Sequence, residues 1–258
     1  MKKRILASII MLAIFIPLLI IGGFPFEIGC TILSVLSLRE LITLLKKNES
    51  IPFFIEIISY FLVAFFVLSS ESVMPYIALI ILFLFVPLVF VSNKKYNIDI
   101  ALKVFGLTTL IGYIYYNFSN IRLVSLDDFV YIVLISCLTD TFAYIGGKTF
   151  GKRKLAERVS PNKTIEGSVI GTIVGTIIPS IYYLYMIDPG ASMFIVIIIT
   201  LVLSVFGQLG DLVFSSIKRK YNVKDYSNII PGHGGIMDRF DSLLFIAITF
   251  VVIKAIIL

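Results

Sequence analysis

The sequence predicts an all-α fold, a polytopic integral membrane protein of about nine transmembrane helices. Apolar stretches near the roughly 20 residues needed for one helical crossing follow one another along the chain. Charged residues make up only 15% of the 258, against roughly 25% in soluble domains, while hydrophobic residues make up 59%. The mean hydropathy is +1.02. The basic residues gather in alternate loops, as orientation in a membrane requires.

The first predicted span covers residues 5–21, after Met1-Lys2-Lys3-Arg4. That opening resembles a secretory signal, but the apolar run is long for one and no small-x-small cleavage site follows, so it is read as a retained span. Spans at 28–45, 52–69, 73–91 and 100–118 follow, then 128–147, 167–187, 192–217 and 240–258. Breakers separate several of them: Gly22-Gly23-Phe24-Pro25, Asn48 to Pro52, Ser92 to Tyr96, and Asp188-Pro189-Gly190. Pro17, Pro87 and Pro179 inside spans are tolerable as kinks. The chain reads as N-terminal helices over 1–120, without an evident role, and a C-terminal membrane region over 121–258 that carries the two longest polar loops.

With nine spans, the segment before the first and the loops after the second, fourth, sixth and eighth share one side. They hold 18 of the 22 Lys and Arg, including Lys46, Lys47, Lys94, Lys95, the six from Lys148 to Lys163, and Lys218, Arg219, Lys220, Lys224 and Arg239. Basic loops stay in the cytosol, so the two longest, Lys148 to Glu166 and Lys218 to Arg239, are expected there, in the plasma membrane of a cell. The net charge of +6 and pI near 9.2 fit this orientation and do not call for nucleic acid, since no soluble basic module is present. Cys30 and Cys137 lie in apolar segments without metal-type spacing and read as packing residues.

Charges inside spans cost about 2.5 to 3.5 kcal/mol each, so those present invite a functional reading. Asp140 lies eight positions before Lys148 and Asp211 seven before Lys218. At about 1.5 Å per residue, both carboxylates lie roughly 10 to 12 Å below those lysines. Each could equally be a structural group bonded to a neighbouring helix. Asp211, Ser215 and Lys218 share one helical face, a carboxylate below and an ammonium above, which would suit a metal-bound polyphosphate. Lys218 to Lys220 alone could be a positive-inside flank.

Further on, Gly232, Gly234 and Gly235 surround His233 in a stretch whose amides could approach a phosphate. The loop runs into Asp238 and Asp241, placed on one helical face by their i, i+3 spacing, which could also serve as helix-start acids. His233 is the single histidine. That excludes a multi-histidine centre and leaves oxygen ligands, hence Mg²⁺-like chemistry; for His233 itself, loop bonding and phosphate contact both stay open. Thr164 and Glu166 read as a helix cap and first-turn acid. Gly167, Gly171 and Gly175 read as a close-packing stripe.

The stretch Ser215-x-x-Lys218-Arg219, then Lys224-Asp225, then Pro231-Gly-His233-Gly-Gly235-x-x-Asp238-Arg239-x-Asp241-Ser242 resembles the signature of phosphatidate cytidylyltransferases. Two upstream blocks are similar to family motifs: Asp140-Thr141-x-Ala143-Tyr144 to Gly147-Lys148-x-Phe150-Gly151-Lys152, and Ser160-Pro161-Asn162-Lys163-Thr164-x-Glu166-Gly167. The resemblance covers about Asp140 to Ser242, while residues 1–120 share only hydrophobicity with the family. Phe142 stands where the family usually has glycine and Lys148 where arginine is common.

The resemblance implies attack of a phosphatidate phosphate oxygen on the α-phosphorus of CTP, giving CDP-diacylglycerol and pyrophosphate. It implies Asp211, Asp238 and Asp241 as Mg²⁺ ligands, acting with Lys218, Arg219 and His233 as the catalytic set. Asp140, Ser160, Lys163, Thr164, Glu166, Ser215, Gly232, Gly234, Gly235 and Arg239 are the implied substrate contacts. Implied partners are CTP, phosphatidic acid and the bilayer, with no nucleic acid and a homodimer as a possible assembly. The alternatives are another CTP-dependent lipid enzyme of polyprenol-kinase type, which the signature disfavours, and an ion-coupled transporter. A transporter would place its groups near the bilayer midplane on broken helices.

Overall fold

The computed structural model describes residues 2–69, 74–90, 96–230, 232 and 234–257. His233 and the loop carrying Lys94 and Lys95 therefore lie outside the described residues. The fold is that of an all-α polytopic membrane protein, with ten helical segments among those residues: α1 (Lys2–Ile21), α2 (Gly23–Leu45), α3 (Phe53–Val67), α4 (Met74–Phe85), α5 (Pro87–Phe90), α6 (Ile98–Val124), α7 (Leu126–Phe150), α8 (Ile165–Met186), α9 (Met193–Lys220) and α10 (Met237–Ile257). Five of them, α2 and α6 to α9, are long and apolar enough to cross a bilayer. Large apolar side chains such as Phe53, Phe61 and Tyr185 are exposed, as on a surface solvated by lipid.

Each expected span finds a helix, and the departures have local causes. The fourth splits at Val86, because Pro87 has no amide proton to continue the ladder. Pro17 and Pro179 remain inside α1 and α8. The fifth and sixth spans extend until only Ser125 separates them, and Ser125 caps α7 by accepting from the Asp128 amide at 3.1 Å. An element the sequence reading lacked is a small antiparallel hairpin, β1 (Lys154–Ala156) and β2 (Ser160–Thr164). Five-residue polar stretches carry no strong alternation of apolar residues, so periodicity did not reveal it.

The chain divides into two compact units. One is Met1–Asn120 with Asp225–Asp238, and the other is Ile121–Lys224 with Arg239–Leu258. In the first, Ser37 on α2 and Tyr115 on α6 share a buried hydrogen bond of 2.8 Å. In the second, Tyr131 of α7 meets Thr200 of α9 at 2.6 Å, Ser180 of α8 donates to Thr200 at 2.9 Å, and Thr139 pairs with Ser204 at 2.8 Å. Hydrogen bonds between helices supply part of the cohesion that hydrophobic burial cannot supply within lipid. The stripe Gly167, Gly171 and Gly175 sets the α7–α8 approach. A Cβ at Gly167 would stand 2.5 Å from the Ala143 carbonyl oxygen, and one at Gly171 2.5 Å from that of Thr139.

Candidate active site

The second unit assembles polar residues from α7, the hairpin, α9 and α10. Thr164 ends β2 and caps α8, its hydroxyl accepting from the Gly167 amide at 3.1 Å. Glu166 accepts at Oε2 from the amides of Lys152 and Arg153, at 3.0 and 3.1 Å, and pairs at Oε1 with Arg153 Nε at 3.3 Å. These bonds hold the chain where it leaves α7 for the hairpin. Arg219 does the same from α9: its Nε donates to the Val159 carbonyl at 3.0 Å and its Nη1 to that of Val223 at 2.8 Å. Thr164, Glu166 and Arg219 thus shape the loop, and Ser160 lies half-buried in β2 opposite Ala156.

The hairpin delivers Lys163, whose Nζ lies 2.5 Å from Asp211 Oδ2. Asp211 Oδ1 accepts from Ser215 Oγ, one turn on, at 3.1 Å, so the i, i+4 relation read from the sequence is made as a bond. Lys218 is only 7% exposed and Asp241 only 8%. Asp241 Oδ1 accepts from the Ser242 amide at 2.8 Å, and its charge is felt by Lys218, Asp211 and Asp140. Asp140 takes a hydrogen bond from the Ser242 hydroxyl and has Asp211 and Lys163 as electrostatic neighbours. Three carboxylates and two ammonium groups therefore share one neighbourhood, drawn from four separate stretches of chain. Below them, Gln208 Oε1 accepts from Ser168 Oγ at 2.5 Å and its Nε2 donates to Thr172 Oγ1 at 2.7 Å, tying α9 to α8. Arg239 is exposed in the first turn of α10.

The first unit holds the glycine-rich loop. Gly232 and Gly234 have φ of 79° and 86°, in the left-handed region that favours glycine, and the Ile230 amide donates to the Gly234 carbonyl at 3.0 Å. Asp238 Oδ2 accepts from the amides of Tyr226 and Gly235, both at 2.9 Å. Glu40 of α2 accepts from Ser227 Oγ at 2.5 Å, the Ile236 amide at 2.9 Å and the Met237 amide at 3.0 Å. The amides of Gly235, Ile236 and Met237 therefore end on carboxylates of the protein. Sequence reasoning passed over Glu40 although it is a carboxylate within an expected span, the same signal that singled out Asp140 and Asp211.

The donor set of the second unit has the chemistry a hard cation takes: carboxylate oxygens, without histidine or thiolate. Among the described residues no three such side chains converge as a metal-binding group. Mg²⁺ does not need three, since one or two carboxylates commonly hold it together with water and substrate phosphates. Asp211 and Asp241 fit that requirement.

Residues 2–257 match the model of the "Cytidylyltransferase family". The chain is 37% identical over 256 residues to the phosphatidate cytidylyltransferase of Staphylococcus aureus strain COL, covering 95% of this chain and 96% of that one. It is 36% identical to the proteins of the same name from Staphylococcus haemolyticus and Staphylococcus epidermidis, with the same shares covered. These matches also take in most of the first 120 residues, which lie outside the stretch that carries the motifs. By a family match over nearly its whole length, together with full-length relatives well above 30% identity, the chain belongs to the cytidylyltransferase family.

Proposed function

We propose that this membrane protein is a CTP:phosphatidate cytidylyltransferase, making CDP-diacylglycerol and pyrophosphate for phospholipid biosynthesis. The observation that carries the reading is the gathering of Asp140, Asp211 and Asp241 with Lys163 and Lys218 in one unit, in a chain whose full-length relatives bear that name. The second pKa of a phosphate monoester is about 6, so the attacking oxygen is largely ionised near pH 7 and needs no strong base. The chain's task is then to neutralise charge and hold the reactants in line.

Asp211 and Asp241 would hold Mg²⁺, which when bound supplies positive charge to the phosphates. Lys163, already paired with Asp211, is placed to exchange that partner for a phosphate oxygen. Buried Lys218 offers a second ammonium beside Asp241. Ser215 and Ser242 orient Asp211 and Asp140 through their hydroxyls, while Glu166, Thr164 and Arg219 keep the hairpin in the shape that presents Lys163.

The purified protein with Mg²⁺, CTP and phosphatidate is expected to release pyrophosphate and form CDP-diacylglycerol, and EDTA to abolish both. Pyrophosphate release that does not depend on phosphatidate, or γ-phosphate transfer to a lipid alcohol, would place it in another class.

The hairpin and the glycine-rich loop face the cytosol in this reading, where CTP is. Single cysteines at Lys154 and Lys224 should be shielded from an impermeant thiol reagent added outside intact cells and react once the membrane is opened. Labelling from outside would contradict this orientation.

A further inference from the structure

Glu40 lies five residues before the end of α2 and is 2% exposed. A charge inside a membrane span is expensive and persists where it has partners. Its three partners come from a stretch 187 to 197 positions further along the chain, Ser227, Ile236 and Met237, and both carboxylate oxygens are engaged. The Ile236 and Met237 amides stand at the start of α10, where backbone donors have no acceptor within the helix. A negative group there also meets the positive end of the helix dipole. The approach is so close that a Cβ on Gly235 would stand 2.5 Å from Glu40 Oε1, which gives this glycine a reason apart from phosphate contact.

We propose that Glu40 is a positioning residue for cytidylyl transfer. Together with Asp238, which takes the Tyr226 and Gly235 amides, it fastens Ser227 and the stretch 235–237 that opens α10 into the shape that receives a substrate phosphate. The inference rests on the reading of the chain as a cytidylyltransferase. It gives α2 a definite task, to carry the anchor on which the signature loop is built. Glu40 itself touches no reacting atom in this role.

The test uses the full-length protein in lipid nanodiscs, as wild type, Glu40→Ala, Glu40→Gln and Ser227→Ala. Amide hydrogen exchange is followed across residues 225–240, and turnover is measured with CTP and phosphatidate varied separately. Glu40→Ala is expected to speed exchange in that stretch at least about 10-fold while α7 to α9 exchange as in wild type, because only local opening is favoured. Turnover should fall at least about 30-fold. Glu40→Gln, which keeps the shape and one carbonyl acceptor, should recover part of both, and Ser227→Ala, which removes one bond of three, should have the smallest effect. A rise in the KM for CTP alone would identify the phosphate served as the nucleotide's, and a rise for phosphatidate alone as the lipid's.

Exchange unchanged in Glu40→Ala, exchange that speeds throughout the protein, or fast loop exchange with normal turnover would each overturn the proposal. A wild-type protein that makes no CDP-diacylglycerol would instead overturn the functional reading, and the exchange measurement, which needs no substrate, would still decide whether Glu40 anchors the loop.

Discussion

Asp211→Asn is expected to lower turnover at saturating CTP by at least about 100-fold in a protein that still folds. An amide is nearly isosteric with a carboxylate and can still accept from Ser215, but it brings no negative charge to Mg²⁺, which prefers hard anionic oxygens. Asp241→Asn should show a loss of similar size. Lys163→Met removes the ammonium bound to Asp211 and should act more on the KM for CTP than on turnover, because its proposed partner is a phosphate.

His233→Ala should have clearly less effect than the aspartate changes, since the attacking phosphate is already largely ionised. Asp238→Asn separates two roles. A side-chain carbonyl could still take the Tyr226 and Gly235 amides, so a large loss would mark the charge, and a small one the loop bonds, as what Asp238 supplies. Each variant would be checked for folding by gel filtration and titrated with Mg²⁺. A well-folded Asp211→Asn protein with near-normal turnover and an unshifted Mg²⁺ dependence would remove Asp211 from the ligand set.

Gly171→Leu is expected to prevent α7 and α8 from packing as they do, lowering stability by about 3 kcal/mol or more. The first added atom alone would stand 2.5 Å from the Thr139 carbonyl oxygen and 2.8 Å from the Ala143 Cβ, and neither belongs to a flexible side-chain end that could swing away. Gly106→Ala is the matched control. A Cβ there meets nothing within 4 Å, and inside α6 it should be neutral or stabilising by up to about 1 kcal/mol. Thermal unfolding in detergent would compare the two. If Gly171→Leu melted with Gly106→Ala, close approach of these helices would not be what the glycine provides.

The expectations that held were those with a local physical cause. A run of apolar residues demands a helix where backbone groups can find no water, so the spans over α2, α6, α7, α8 and α9 could be read from hydropathy. Likewise, Thr164 ahead of an apolar run could be read as a helix cap, and the spacing of Asp211 and Ser215 as one face. Small residues every four positions on one helix could be read as a packing seam, because that spacing places them on one face whatever the partner.

Tertiary structure alone decided which distant groups meet. Lys163 appears in the sequence as one of six basic residues in a loop, and only the hairpin, with its polar five-residue strand, brings it to Asp211, 48 positions on. Glu166 reads in the sequence as a first-turn acid and Arg219 as one of a basic cluster, and only the fold shows them bonded to backbone groups of Lys152, Arg153, Val159 and Val223. Glu40 and the Met237 amide lie 197 residues apart, and no periodicity within either segment refers to the other. Periodicity records how a residue faces within its own helix or strand, whereas the partner of a buried charge depends on how the whole chain closes; so the membrane architecture was readable in the order of the residues, and the bonding of the site was not.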